Sequence, residues 1–209
     1  MKSISQSFEA APLPAAARNV FISFFEWPTL VIGLWVFAGY YVGSRVGFAL
    51  TFYPHPVSVL WPPNSILAAA LLLTPVRIWW FVVLAAFPAH WAAQIQSHVP
   101  TPMILCWFFS NVCEALIGAG LTRYLVGGPL RFTTLRNVVI FFLCVVFAGP
   151  FLSSFLDAAF VRWNQWGESS YWELIRIRLF SNALAAFMLV PLIVTWASSG
   201  ILADRKSVV

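Results

Sequence analysis

The sequence predicts an all-α fold, a polytopic bundle of about six membrane-crossing helices. Hydrophobic residues make up 61% of the 209 residues and charged residues only 9%, whereas soluble domains are about half apolar and about a quarter charged. The apolar residues also run nearly uninterrupted through windows of about twenty, the length that an α-helix needs to cross the hydrocarbon core. This composition and this pattern argue against a water-soluble fold.

Six apolar segments define the predicted crossings. They cover about 21–44, 57–74, 78–97, 102–122, 137–156 and 179–198. We interpret the chain as one membrane domain, with tails at both ends. The tails are 1–20 and 200–209, and the domain is 21–199.

The fifth crossing and the loop after it have their own signals. The stretch 137–163 is longer than one crossing requires, so it is expected to tilt or to project outward. The loop near 157–178 contains Ser169 and Ser170, which are good helix N-caps, and Glu173 suits the positive end of a helix. These residues predict a short interfacial helix in the loop.

The distribution of Lys and Arg predicts the orientation, because short cytoplasmic loops carry the excess of basic residues. With the N-terminus inside, eight of the twelve basic residues are cytoplasmic. They are Lys2, Arg18, Arg77, Arg123, Arg131, Arg136, Arg205 and Lys206. We therefore predict that both termini are cytoplasmic. The basic residues are scattered singly, so the net charge of +5 does not indicate a nucleic-acid partner.

The second segment is predicted to be a broken crossing. It runs through Trp61, Pro62, Pro63 and Asn64, and consecutive prolines forbid a continuous helix. A helix that begins at Pro63 and ends near Leu73 is about 16 Å long, roughly half a bilayer. Its N-terminus then lies deep in the protein, where unpaired N–H groups and the Asn64 amide suit an anion or a carbonyl.

An alternative interpretation of the same residues has no break. Trp61 and the prolines would then mark the outer interface, and the helix would be kinked at Pro75. The two interpretations differ in whether Trp61 and the two prolines are buried in the protein. Irregular backbone at membrane depth survives only when it is buried in protein or lines a wet cavity.

Polar residues inside predicted crossings are candidate functional residues, because a carboxylate in the membrane must face the bundle interior, be paired or be protonated. Glu114 lies mid-crossing, and Asn111 and Gly118 share its helical face. This face is expected to form a polar network with the break in the second segment. The alternative is a structural hydrogen-bond clasp between helices that binds no ligand.

The last segment begins with Arg178, which shares a face with Ser181 and Asn182. Arg178 is expected to pair with Glu173 or Asp157, to meet an anionic ligand at the outer mouth, or to extend to the interface. The candidate ligand-binding residues are therefore drawn from three segments. They are Trp61, Pro62, Pro63, Asn64, Asn111, Glu114, Arg178 and Asn182.

Catalytic and metal-binding motifs are not recognisable in the sequence. It contains no GxSxG, HExxH, P-loop or paired-carboxylate motif, and the three cysteines match no metal spacing. His90 and Gln94, four residues apart, are best interpreted as an interior histidine beside an amide. We therefore predict no enzyme, no cofactor and no metal site.

Several of these residues resemble a known family. The run from Leu60 to Leu73, LWPPNSILAAALLL, is similar to the signature of the first MASE family. Two weaker similarities are the Asn111-to-Ala115 stretch, which resembles the family's Asn-x-x-Glu-Ala, and the stretch from Asn182 to Leu192. The resemblance covers about 25–198.

This resemblance implies a function and a setting. The family comprises integral membrane sensor domains at the N-termini of bacterial histidine kinases and diguanylate cyclases. It therefore implies the bacterial inner membrane, two-component or cyclic di-GMP signalling, and a cytoplasmic output domain of either kind as partner. A homodimer is expected if the chain drives such an output. The last predicted crossing ends close to Val209, so we expect a stand-alone relative or the sensor half of a longer protein.

Three functions remain open from the sequence. The leading hypothesis is a signal-input module in which a small ligand or a partner protein biases two packings of the bundle. The second is an accessory or structural subunit of a larger membrane complex. The third is a small transporter, since broken helices and a midplane carboxylate also suit coupled transport.

Overall fold

The computed structural model describes residues 27–51 and 58–206. Seven α-helices lie in this part of the chain. They are α1 (Trp27–Ala49), α2 (Pro62–Leu73), α3 (Trp79–Gln96), α4 (Thr101–Val126), α5 (Leu135–Phe141), α6 (Gly149–Trp163) and α7 (Tyr171–Lys206). A single 3₁₀ turn, Val76–Ile78, precedes α3, and a π-helix, Phe142–Ala148, joins α5 to α6.

The predicted fold class is confirmed. Among the described residues, five helical stretches are long and apolar enough to cross a membrane, and α2 is a sixth, shorter apolar helix. The α5–π–α6 stretch, Leu135–Trp163, counts as one crossing of 29 residues, which agrees with the excess length expected there. The predicted tail 1–20 and the start of the first segment lie outside the described residues.

The prediction of a separate interfacial helix near 157–178 is wrong. Helix α6 continues to Trp163, and α7 begins at Tyr171 and runs without interruption through the last crossing. The N-cap prediction itself is right. The Glu173 N–H donates to Ser170 Oγ (3.3 Å), and the Ser170 N–H donates to Glu173 Oε2 (3.4 Å). This capping box starts the long helix directly, so no additional helix is needed.

Helix α2 has the predicted break at its N-terminus. It begins at Pro62, one residue before the predicted start, and Trp61 ahead of it is not helical (φ −117°, ψ 85°). Its 12 residues span about 18 Å, and it packs against α1, α3, α4 and α7. Trp61 is only 5% exposed, so burial supports the broken crossing rather than the outer-interface alternative.

The C-terminus of α2 is held by side chains from other helices. The Trp79 indole N–H donates to the Leu71 carbonyl (2.8 Å), and Arg123 Nη2 donates to the Leu72 carbonyl (2.9 Å) and to that of Thr74. The last carbonyls of a helix have no partner within the helix itself. Donors from α3 and α4 therefore fix the end of α2 inside the bundle.

Glycines allow two close approaches. A Cβ at Gly47 of α1 would lie 2.5 Å from Cε3 of Trp61, so the indole occupies the space that any larger residue would need. A Cβ at Gly118 of α4 would lie 3.2 Å from Cα of Val145 in the π-helix. Small residues let helix backbones approach in this way in membranes.

Two apolar clusters fill the interior at opposite ends of the bundle. The larger joins α2 to the neighbouring faces of α1, α3, α4, α7 and the π-helix, and the smaller contains Met103, Trp107, Ala158 and Leu174. Large side chains on the outside are also apolar, such as those of Trp35, as expected for a surface in contact with lipid. Along α4, the buried polar residues Ser110, Asn111 and Glu114 lie between residues of the two clusters.

We predict that Gly47→Ala destabilises the protein, because the new methyl group must displace the buried Trp61 ring. Overpacking of this kind costs about 1–3 kcal/mol. Thermal unfolding in detergent measures the effect, and Gly120→Ala is the control because a Cβ there meets nothing within 4 Å. Equal unfolding temperatures for the two variants would show that Trp61 does not occupy this space.

Candidate functional site

Three polar pairs, each four residues apart, face one another between the two apolar clusters. Spacing of i and i+4 puts both members of a pair on the same face of a helix. The pairs are Ser110 and Glu114 on α4, Ser153 and Asp157 on α6, and Arg178 and Asn182 on α7. They form two layers about one helical turn apart, which we call the outer and the inner layer.

The outer layer contains Ser110, Asp157 and Arg178. Arg178 Nε lies 2.5 Å from Asp157 Oδ2, and the Ser110 hydroxyl donates to Asp157 Oδ1 (2.8 Å). The Arg178 guanidinium also lies over the ring of Trp107, 5.1 Å from the ring centroid. The arginine and the aspartate are each about 95% buried. One ion pair thus joins α6 to α7, and both ions contact α4.

The inner layer contains Glu114, Ser153 and Asn182. Glu114 Oε2 accepts from the Ser153 hydroxyl (2.6 Å) and from Asn182 Nδ2 (2.7 Å). All three side chains are buried, and a polar group in this position is costly unless it is paired. The same three helices are therefore joined twice, one turn apart, by groups of different charge.

A third polar chain extends from α4 toward α1 and α3. Asn111 Nδ2 donates to the Tyr40 hydroxyl (3.1 Å), which lies 3.3 Å from His90 Nδ1, and His90 Nε2 lies 3.0 Å from the Ile104 carbonyl. Because a carbonyl only accepts, Nε2 donates, and in the neutral ring Nδ1 accepts from Tyr40. His90 is an interior histidine with both nitrogens used, although Gln94 forms no hydrogen bond with it.

The N-terminus of α2 lies beside the inner layer, and several of its buried polar atoms have no hydrogen-bond partner among the described residues. Asn64 is close enough to interact with Glu114, yet neither polar atom of its side chain has a hydrogen bond of normal geometry within the described residues. The same holds for Trp61 Nε1, Ser65 Oγ and Ser181 Oγ. Buried polar groups are nearly always paired with protein or water, so this region has capacity for a further partner.

A small cavity with a volume of about 10 Å³ opens toward the predicted outer end. This is close to the smallest space that holds one water molecule. Its lining residues come from α1, α4, α7 and the described residues that lie between α1 and α2. They are Phe48, Thr51, Ser58, Trp61, Trp107, Asn111 and Arg178.

The eight residues predicted as ligand-binding lie close to one another, in the polar layers, in the cavity lining or at the start of α2. Glu114 and Asn182 are hydrogen-bonded to each other, and Arg178 uses Asp157, one of its two expected partners. Trp61, Asn111 and Arg178 line the cavity. The other three predicted residues belong to α2. Pro62 and Pro63 are buried against Gly43, and Asn64 is adjacent to Glu114 without joining its hydrogen bonds.

Four residues of the network were not singled out from the sequence. They are Ser110, Ser153, Tyr40 and Trp107. The serines had a usable signal, since each lies four residues before a carboxylate on an otherwise apolar helix. Tyr40 and Trp107 had none, because aromatic residues are common in every predicted crossing.

A family comparison covers the whole of this site. The profile of the MASE1 family matches residues 32–202, which is well over half of the chain and includes α2 and both polar layers. The chain belongs to the MASE1 family. The resemblance carried by the Trp-Pro-Pro-Asn run is thereby confirmed, and MASE1 is a family of membrane-associated sensor domains.

The MASE1 assignment agrees with the fold. The family and the five long apolar helices of the described residues both support a multi-pass membrane protein, and the family supports a sensor role. A sensor family is not a catalytic one. No curated protein and no solved structure matches the chain significantly. The polar layers therefore have to be interpreted from their own chemistry.

We predict that Arg178→Met alone destabilises the protein by about 3–5 kcal/mol, because it leaves the Asp157 carboxylate buried without its cation. The double variant Arg178→Met/Asp157→Leu should recover much of this loss, since replacing both ions by apolar groups is often neutral. Denaturant unfolding in detergent measures both, and Arg176→Met, at an exposed position on the same helix, is the control.

A double-mutant cycle tests whether Arg178 and Asp157 stabilise the protein through their mutual interaction or independently of each other. The cycle also needs Asp157→Leu alone. A double variant that loses as much stability as Arg178→Met and Asp157→Leu lose together would contradict a direct interaction between the two residues.

Proposed function

We propose that this MASE1 chain is the signal-input module of a membrane sensor and that it binds its signal at the two polar layers and the broken start of α2. The observation that carries the proposal is the position of Arg178 and Asn182. Both belong to α7, a single helix of 36 residues that is about 54 Å long. A change in either layer therefore acts on a helix that continues to Lys206.

The proposed mechanism is a shift between two packings of α7 against α4 and α6. A ligand can produce such a shift only if it binds one packing more tightly than the other. The unpaired polar atoms of Trp61, Asn64 and Ser65 supply that difference, because a ligand that pairs them removes the cost of burying them alone. The eight residues from Trp61 to Asn182 predicted as ligand-binding are the proposed site.

The π-helix supplies a second contact with α7, next to the polar layers. Phe142–Ala148 packs against both α4 and α7, and π segments occur frequently at functional sites. If Phe142–Ala148 changed from π-helical to α-helical geometry, its side chains would shift relative to those of the neighbouring helices. Such a change in the π-helix would alter the packing of α7 without breaking either polar layer.

The proposed output is cytoplasmic. Both termini face the cytoplasm of the bacterial inner membrane in this proposal, and α7 delivers the signal to a histidine kinase or a diguanylate cyclase. These outputs correspond to two-component or cyclic di-GMP signalling, and a dimer of the chain would bring two outputs together. The module binds and couples, and it performs no catalysis.

The same geometry gives some support to a second function. Ser110, Glu114, Ser153, Asp157, Arg178 and Asn182 pair with one another across three helices. A clasp of this kind needs no ligand, so it also suits an accessory subunit of a larger membrane complex. Stoichiometric partner subunits retained in mild detergent would favour that function.

We predict that Glu114→Gln changes the output of a signalling domain attached to the C-terminus. The carboxylate accepts from Ser153 and Asn182, and an amide puts a donor where one of the carboxylate oxygens stood. Coupling changes of 0.5–2 kcal/mol correspond to about a twofold to thirtyfold change in output. Autophosphorylation of an attached kinase measures it.

The matched control for this experiment is Glu168→Gln, the same substitution at an exposed loop position. It should leave the output unchanged. Unaltered output in folded Glu114→Gln and Asn64→Ala variants would contradict the sensor proposal.

The proposed orientation has its own test. A green fluorescent protein attached after Val209 should be fluorescent, because this reporter folds in the cytoplasm, and alkaline phosphatase at the same position should be inactive. The opposite pair of results would place the C-terminus outside the cytoplasm and would contradict a cytoplasmic output.

A further inference from the structure

Four arginines lie at the end of the bundle where α2 and α4 finish. Arg77 is in the 3₁₀ turn after α2, and Arg123 is in the last turn of α4. Arg131 precedes α5, and Arg136 lies in its first turn. We call these four residues the arginine cluster. None of them forms an ion pair within the described residues, so their charges are not neutralised there.

Hydrogen bonds to backbone carbonyls orient two members of the cluster. Arg123 Nη2 donates to the carbonyl of Thr74, which lies three residues before Arg77. Arg136 Nη2 donates to the Leu125 carbonyl (2.7 Å), two residues after Arg123. A carbonyl accepts a hydrogen bond but has no net charge. These bonds therefore bring the guanidinium groups together and leave their charge uncompensated.

The loop that contains Arg131 is fixed in the same region. The Asn137 side-chain amide donates to the Arg131 carbonyl (2.9 Å), and the Asn137 N–H donates to Thr134 Oγ1 (3.3 Å). These two bonds fold the loop onto the first turn of α5, next to Arg136. The side chains of Arg77, Arg131 and Arg136 are exposed, so they can reach a ligand without a change in the fold.

Carboxylates are absent from this end in the part of the chain whose side chains the structure describes. Glu114 and Asp157 belong to the polar layers, and Glu168 and Glu173 lie beyond α6, at the opposite end of the 29-residue crossing that starts at Leu135. A surface of one charge sign attracts ligands of the opposite sign. The arginine cluster therefore suits an anionic partner.

The surface beside the cluster is apolar and exposed. Tyr124, next to Arg123, is 84% exposed, and Leu135, next to Arg136, is 79% exposed. Both belong to stretches that are long and apolar enough to cross a membrane, so the surface is in contact with lipid acyl chains. Further exposed apolar residues continue it along α4 and α5, namely Leu121, Leu125, Val138 and Val139. A soluble anion would use the arginines and leave this apolar surface unused.

We propose that the arginine cluster binds the headgroup of an anionic phospholipid, whose acyl chains lie along α4 and α5. Guanidinium groups bind phosphate oxygens through paired, charge-assisted hydrogen bonds. Basic groups at the end of membrane helices select anionic over zwitterionic headgroups by the same attraction. This site is separate from the polar layers and from the sensor proposal, since it depends only on the contacts at this end of the bundle.

Lipid binding has a structural consequence for α2. Arg123 holds the carbonyls at the end of α2, and a phosphate beside the same guanidinium restricts it further. A ligand that binds the folded chain and not the unfolded one raises stability. An anionic lipid should therefore raise the unfolding temperature of the protein.

The experiment uses the full chain, purified in a mild detergent and freed of its native lipids. Dioleoyl phosphatidylglycerol is the anionic probe, and native mass spectrometry counts the lipids that remain bound. Dioleoyl phosphatidylethanolamine is the matched control, because it is zwitterionic and has the same acyl chains. We expect the anionic lipid to bind at least about tenfold more tightly and to raise the unfolding temperature, which the zwitterionic lipid should leave unchanged.

Variants that remove charge locate the site. Arg131→Gln/Arg136→Gln removes two exposed charges from the cluster, and it should weaken binding of the anionic lipid by about tenfold to thirtyfold. The control is Arg162→Gln/Arg176→Gln, which removes two exposed charges at the opposite end and should bind as the native chain does. Arg77→Gln leaves both carbonyl-bound guanidinium groups in place and should weaken binding by about fivefold.

The source of the phosphate is tested with a soluble probe. Glycerol 3-phosphate carries a phosphate without acyl chains, and it should not displace the bound lipid at an equal concentration. Three outcomes overturn the inference: the two lipids bind alike, the two double variants lose equal affinity, or glycerol 3-phosphate displaces the lipid. The last outcome would assign the cluster to a soluble phosphate instead of a lipid.

Discussion

The buried pair of Arg178 and Asp157 is the interaction on which the rest of the bundle depends. Two ions inside a membrane protein persist only when they face each other and have their remaining groups satisfied. Ser110 supplies one of those contacts and the Trp107 ring another. The pair therefore fixes the rotation of α4, α6 and α7 about their own axes, because turning any one of them would separate a charge from its partner.

Rotation matters because apolar packing alone does not specify it. The helices are apolar both where they meet lipid and where they meet each other, so many faces of a helix could form a contact of similar quality. The inner layer of Glu114, Ser153 and Asn182 repeats the constraint one turn away. Two layers with different chemistry also fix the register, since a shift by one turn would place Arg178 against the wrong partners.

The sequence predicted the crossings and the break because these depend on local properties. Apolar length defines the helices, and Pro62 and Pro63 interrupt one of them regardless of what surrounds them. The Ser170 and Glu173 cap was also visible locally, but Arg176 and Arg178 separate it from the last apolar run, so nothing in the sequence showed that the capped helix is the last crossing itself.

The partners within the site could not be predicted in the same way. Asn182 and Glu114 are 68 residues apart, and their contact depends on which faces of α4 and α7 meet. A uniformly apolar helix contains little periodic signal to mark that face. Asn111 illustrates the limit: it shares a helix face with Glu114, yet it donates to Tyr40 on α1. The one local signal for the layers is the four-residue spacing of Ser110, Ser153 and Arg178 from Glu114, Asp157 and Asn182, and the sequence analysis did not use it for the two serines.

The shortness of α2 has a consequence for how the chain enters the membrane during synthesis. A helix of twelve residues is too short to be recognised as a spanning segment on its own. The donor that holds the end of α2, Arg123, is made about fifty residues later, and the α7 surface that covers α2 later still. We therefore expect the second segment to reach its final position only after α4 and α7 have been inserted, so that a chain stalled before α7 would lack the surface that covers α2.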